Sequence, residues 1–226
     1  LLVAAVFMLQ GSHRAARHVR SRRQGMSFRD GLGLTLREPR LLRLALVGFS
    51  FVGTQICFLT FLVVFFVVDH QASLLLAGSY LAAGQLGGNI GIDLVAEARG
   101  RGIGPGALLA ILGMGMALVC LALGVAAGRL GPVWLYALAF CGGATAAGWN
   151  GIYLAELARL APPGEVACIT GTSFVVSSTA LVIAPVIFSG VAARSDYGNG
   201  YLGAAALALL GVAILALPGP RPAARL

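Results

Sequence analysis

Five polar side chains, Thr54, Gln55, Thr145, Trp149 and Asn150, interrupt long runs of leucine, valine, alanine, phenylalanine and glycine. Burying an unpaired amide such as that of Gln55 in hydrocarbon costs several kcal/mol, so such a residue faces either a protein partner or a wet cavity. The chemistry on offer is hydrogen bonding. Catalysis would need other residues: there are no paired carboxylates, no histidine cluster, no nucleophile elbow and no phosphate-cradling loop. The acids nearest the apolar interior, Asp93 and Glu156, stand at the ends of their runs. We therefore expect no enzyme, no metal site and no cofactor. His13 and His18 lie in a basic segment, His70 lies in a short turn, and Cys57, Cys120, Cys141 and Cys168 form no CxxC pair and read as small core residues.

Small residues carry a second pattern. Gly84, Gly87, Gly88 and Gly91 repeat at helical spacing and form a face that permits close backbone approach, with Gln85 and Asn89 placed beside it to bond a neighbouring helix. Thr170, Ser173 and Ser177 recur in the same way further on, flanked by Thr172, Ser178 and Thr179, and such hydroxyls cement helices at about 0.6 kcal/mol each. Pro185 in that stretch leaves a backbone carbonyl without its donor and marks an expected bend.

The elements that must position these residues are membrane helices. Hydrophobic residues make up 58% and charged residues 11% of the 226, far from the roughly one-quarter charged profile of soluble domains. Six apolar stretches are long enough to span a bilayer, at about 41–68, 72–95, 107–127, 133–155, 168–192 and 199–217. The breaks between them carry turn residues: Asp69 to Gln71, Arg99 to Pro105, Gly131 and Pro132, Pro162 to Glu165, and Asp196 to Gly200. Lipid supplies no backbone partners, so the spans are helices, and the expected fold is an all-α integral membrane protein, a six-helix transmembrane bundle over 41–217. Residues 1–10 are apolar but cover only about half of a bilayer core, and read as the truncated end of a preceding transmembrane helix. Residues 11–40 read as a basic cytoplasmic loop, in which Phe28 to Arg37 suits a short amphipathic helix along the membrane surface, and 218–226 as a cytoplasmic tail.

The net charge of +8 belongs to topology rather than to nucleic-acid binding, because the arginines sit between apolar spans and form no basic face on a soluble module. Every one of the 16 cations is arginine. With six spans, 14 of them fall on one face, which arginine accumulation identifies as cytoplasmic, and only Arg129 and Arg194 fall on the other. Trp134 and Tyr136 then mark the outer end of the fourth full span, and Trp149 and Tyr153 read as its inner belt, with substrate stacking by Trp149 as the other reading.

A large basic loop followed by six spans resembles the second half of a major facilitator superfamily transporter of bacterial type. Local wording adds to the likeness: GWNGIYLAELARLAPPG over Gly148 to Gly164, and Ala184 to Gly190 followed by Asp196, Tyr197, Gly198 and Tyr201. The family's loop signature after the second full span is degraded here. Anchored on Gly100 and Arg101, Glu97 takes the acidic slot, but Ala98 replaces the basic residue and Asp93 the first glycine. The resemblance implies a latch between helices through charge pairs at this loop, with Arg99 or Arg101 as partner for Glu97 or Asp93. The residues alone suit a solvated surface loop equally. It also implies that the first and fourth full spans line a central cavity, which makes Thr54, Gln55, Thr145, Trp149 and Asn150 candidates for lining it, with interhelical bonding as the alternative. The function implied is secondary transport of an unknown small-molecule substrate across the bacterial plasma (inner) membrane by alternating access, with a missing N-terminal six-helix half as partner. The competing reading is a non-transporting six-span scaffold or channel-like oligomer subunit.

Overall fold

The computed structural model describes residues 26–217, so the apolar segment 1–10, residues 11–25 of the basic loop and the 218–226 tail lie outside the described residues. Every regular element in the described residues is helical. In chain order they are α1 (Phe28–Arg37), α2 (Pro39–Val68), α3 (Leu74–Gly100), α4 (Pro105–Ala126) with a 3-10 turn over Ala127–Arg129, α5 (Pro132–Leu160), α6 (Val166–Ser178), α7 (Ala180–Ala192) and α8 (Tyr197–Ala216).

Local chemistry explains where these helices begin. Pro39, Pro105 and Pro132 each occupy the first turn, where a missing N–H costs no hydrogen bond and the fixed φ suits a helix. Ser73 accepts from the Leu76 N–H at 3.2 Å, and Asp196 accepts from the Asn199 N–H at 2.6 Å, each capping its helix. Gly102 and Gly164, at φ of +87° and +88°, supply the left-handed backbone that the turns after α3 and before α6 require.

Among the described residues, four stretches are long and apolar enough to cross a membrane: Pro39–Val68, Pro105–Arg129, Val166–Ala192 and Tyr197–Ala216. Helices α3 and α5 have 27 and 29 residues, a spanning length at about 1.5 Å per residue, but glycine and polar residues dilute them. These two pack on each other. The outward surface elsewhere is branched and apolar, as Val182, Val186 and Ile187 on α7 and Ile111, Leu118 and Val125 on α4 illustrate. The arrangement suits a hydrocarbon solvent, which leaves no force to hide such side chains.

The expected span 168–192 is not one continuous helix. It is interrupted at Thr179, six residues before Pro185, so the break does not lie where proline alone would put it. The Thr179 carbonyl accepts from both Val182 N at 3.2 Å and Ile183 N at 3.1 Å, while its hydroxyl turns back to the Val176 carbonyl at 2.7 Å. A side chain competing for backbone groups bends helices in this way, and Pro185 downstream has no N–H for the Leu181 carbonyl.

The α1 helix occupies Phe28–Arg37 and docks on α6. Gly31 comes so near that a Cβ there would lie 2.4 Å from Cys168 Sγ, and Thr35 Oγ1 lies 2.9 Å from Thr172 Oγ1. Just ahead of it, the Met26 N–H donates to Glu165 Oε2 at 2.9 Å. The core has two parts. One gathers Leu62, Phe65, Phe66, Tyr80, Leu123 and Tyr201; the other, toward the end that carries Arg40, Arg43 and Arg159, gathers Leu41, Phe51, Leu109, Trp149, Tyr153 and Leu157.

Candidate functional site

The glycines of α3 decide how α5 is held. A Cβ on Gly87 would fall 2.0 Å from the Phe140 carbonyl oxygen, on Gly91 2.4 Å from that of Ala144, and on Gly84 3.2 Å from that of Ala139. One on Gly88 would meet the Ala147 Cβ at 3.3 Å. Gly143 answers from α5. The two backbones therefore touch along a seam that admits no Cβ at Gly87, Gly91 or Gly143 without a backbone shift, and this fixes the rotation of α5 about its axis.

With that rotation, Trp149 and Tyr153 turn inward, each 1% exposed. An interfacial belt at this end is therefore not what they form, whereas Trp134, at 66% exposed, does face outward. Phe51 of α2 meets Trp149 edge-on at 5.6 Å, and Trp149 meets Tyr153 at 5.3 Å. The Tyr153 hydroxyl lies 2.8 Å from Ser177 Oγ, which also donates toward the carbonyls of Ser173 at 2.9 Å and Ala45 at 3.3 Å. Gly48 gives this node its room, since a Cβ there would lie 2.5 Å from Ser177 Oγ and 2.6 Å from Tyr153 Oη. Two buried polar atoms, Trp149 Nε1 and Ser173 Oγ, have no partner among the described residues.

The remaining candidates differ in what they are free to do. Thr54 is buried, and its hydroxyl reaches the Ser50 carbonyl at 2.9 Å and the Ala204 carbonyl of α8 at 3.2 Å. Thr145 reaches the carbonyls of Cys141 and Gly142 at 2.9 and 3.1 Å, and its methyl fills the space beside Gly115 of α4. Asn150 donates to the Ala147 carbonyl at 3.2 Å and is half-buried. Gln55 is also half-buried and lines a crevice with Phe58, Met116, Val119 and Gly142 that is too narrow to admit water. Its amide makes no hydrogen bond among the described residues.

Around the loop after α3, Arg101 Nη2 pairs with Glu97 Oε1 at 2.7 Å, one turn away, with side chains 74% and 60% exposed. Such a solvated pair contributes about 0.3–0.5 kcal/mol and joins no second helix. Arg99 donates to the Ile103 carbonyl at 3.3 Å, and Asp93 is exposed. At the end of α5, Glu156 Oε2 accepts from Arg159 Nε and Nη2 at 3.0 and 2.7 Å. That hydrogen bonding, and then the carboxylate charge, holds the Arg159 pKa above its ordinary value.

A seam of glycines, hydroxyls turned to backbone carbonyls and an outward apolar surface describe a membrane helix bundle. The family model of the Major Facilitator Superfamily matches residues 1–185. The chain belongs to the major facilitator superfamily. It is a multi-pass membrane protein and a transporter of the major facilitator type. No curated protein and no solved structure matches it.

For this facilitator-family chain, the residue pattern does not foretell Phe51 against Trp149, or Gly48 and Ser177 against Tyr153. One signal was present: Gly142, Ala146, Trp149, Tyr153 and Leu157 recur at three- and four-residue steps, which puts the aromatics in phase with the small-residue face.

Proposed function

We propose that the chain forms the C-terminal six-helix half of a secondary transporter that moves a small polar solute by alternating access, rocking against an N-terminal half about a site near the bilayer midplane. One observation carries the reading: Gln55 holds a half-buried amide in the middle of α2 with no hydrogen-bond partner among the described residues. An amide at that depth needs a partner, and a solute, water or the opposing half supplies it. The outward side of the second half of α5 adds support, because Gly151, Ala155 and Ala158 there are small, with Leu154 at 38% exposed as the large apolar side chain among them, unlike the branched residues of the lipid-facing helices. A surface of small residues suits a close protein contact or a wet cavity better than acyl chains. Thr145 and Asn150, both half-buried, border the same region of α5 and complete the proposed lining, whereas Trp149 is packed behind it against Phe51. The Glu97 and Arg101 pair, with Asp93 and Arg99, is proposed as a surface feature of the loop after α3.

In this reading the arginine-rich end of the bundle and the C-terminus face the bacterial cytoplasm, by the accumulation of positive charge. No span here has a central Asp, Glu, His or Arg, so any coupling charge is supplied by the opposing half. The test is Gln55→Ala in the whole transporter, reconstituted in proteoliposomes and assayed over a solute panel. Loss of uptake or efflux of at least one solute, at unchanged insertion, is expected. Unchanged transport of every solute carried by the wild type would remove Gln55 from the site and this reading with it.

A further inference from the structure

A second cavity lies away from Gln55, where the start of α2, the start of α4, the end of α5 and the end of α8 converge. Its volume is about 360 Å³, at the small end of the roughly 300–1,000 Å³ typical of ligand sites. Arg40, Arg43, Arg159 and Glu156 line it, with Gly106 and the apolar wall residue Leu109. Among its lining residues, three guanidinium groups accompany one carboxylate.

The arginines are held in place by different means. Arg43 Nε donates to the Ile214 carbonyl at 2.9 Å and its Nη2 to the Leu215 carbonyl, which fixes its guanidinium against the last turn of α8. Arg159 is braced by Glu156 through Nε and Nη2, so its Nη1 edge is not used by that pair. The first turn of α4 contributes as well. Pro105 has no N–H and the first bond of the turn runs from Leu108 N to the Gly104 carbonyl at 3.1 Å, so the Gly106 and Ala107 amides lack intrahelical acceptors and sit at the positive end of the helix dipole.

We propose that this cavity binds a phosphate group, presented either by an anionic lipid headgroup or by a soluble phosphate. The Nη1 groups of Arg43 and Arg159, outside the contacts just named, are charged donors suited to phosphate oxygens, and the free amides of a helix start add donors on the same side. The site is separate from Gln55 and does not depend on the transport reading.

Two titrations of the purified protein test it. Inorganic pyrophosphate is titrated calorimetrically into protein held in phosphatidylcholine nanodiscs, and phosphatidylglycerol retention is counted against phosphatidylcholine by native mass spectrometry. Saturable binding of pyrophosphate alone assigns a soluble source, and preferential retention of phosphatidylglycerol assigns a lipid. Saturable binding of neither probe overturns the proposal. Gly106→Asp places a negative charge in the cavity at a position where a new Cβ meets no atom within 4 Å. It is expected to weaken binding about tenfold or more while leaving the thermal midpoint unchanged or raised. Should its midpoint fall, the exposed Arg159→Gln serves instead, with a loss of about fivefold expected. Glu156→Gln removes the opposing charge and is expected to tighten binding. Unaltered binding in the first or second variant, or weaker binding in the third, contradicts a phosphate site.

Discussion

Gly143 of α5 lies so close to Gly84 of α3 that a Cβ added to it would fall 1.7 Å from the Gly84 carbonyl oxygen. The obstacle is backbone on a neighbouring helix, so neither a rotamer change nor a small side-chain shift relieves it. Gly143→Ala is expected to destabilise the bundle by about 1–3 kcal/mol, the usual cost of overpacking, read as a lower thermal midpoint in detergent. Gly78→Ala on α3, where a Cβ meets nothing within 4 Å, is the matched control. It is expected to be neutral or stabilising by up to about 1 kcal/mol.

The hydroxyl pair of Tyr153 and Ser177 yields an asymmetric expectation. In Tyr153→Phe, Ser177 keeps the Ser173 and Ala45 carbonyls, so no buried group is orphaned and the loss is about 0.5–1.5 kcal/mol. In Ser177→Ala the buried Tyr153 hydroxyl loses its only hydrogen-bond partner among the described residues, and about 1–3 kcal/mol is expected. Chemical denaturation of the two variants compares them directly, and an equal or reversed order contradicts the arrangement.

Asp69, at the end of α2, caps α8 from outside. Its Oδ2 accepts from the Tyr197 N–H at 2.8 Å and the Gly198 N–H at 3.3 Å. Asp69→Ala is expected to lower stability by about 1–2 kcal/mol, since two first-turn donors lose an anionic acceptor. Asp69→Asn keeps an acceptor and loses less. Hydrogen exchange localises the effect: faster exchange is expected at the start of α8, and uniform change across the bundle would exclude a cap.

Thr54→Val separates fastening from solute binding. The hydroxyl is bonded to backbone on α2 and α8, so its removal is expected to cost about 0.6 kcal/mol of stability, a typical interhelical bond in a membrane. Transport by the whole protein is expected to continue, in contrast to Gln55→Ala. Abolished transport at full stability would move Thr54 into the site.

For the exposed Glu97 and Arg101 pair, Glu97→Gln is expected to shift stability by no more than about 0.5 kcal/mol. A larger loss in the same denaturation assay would mean that the pair reaches another helix.

By itself, the sequence determined the helical class, the apolar character and the approximate ends of the elements. Those properties are local: mean composition sets the solvent, Pro39, Pro105 and Pro132 begin helices, and the spacing of Gly84, Gly87, Gly88 and Gly91 places them on one face. Tertiary structure alone decided what each face meets. It turned Trp149 inward to Phe51 rather than out to the interface, used Thr54 on the Ala204 carbonyl, closed Arg101 onto Glu97 within one helix end, and interrupted the expected 168–192 span at Thr179. The physical reason is the solvent. In water an amphipathic stripe announces which side of a helix is buried. In a bilayer, lipid and protein interior are equally apolar, so the rotation of a helix is set by backbone fit against its neighbours, as at Gly84 and Gly143, and that fit exists only once the helices have packed.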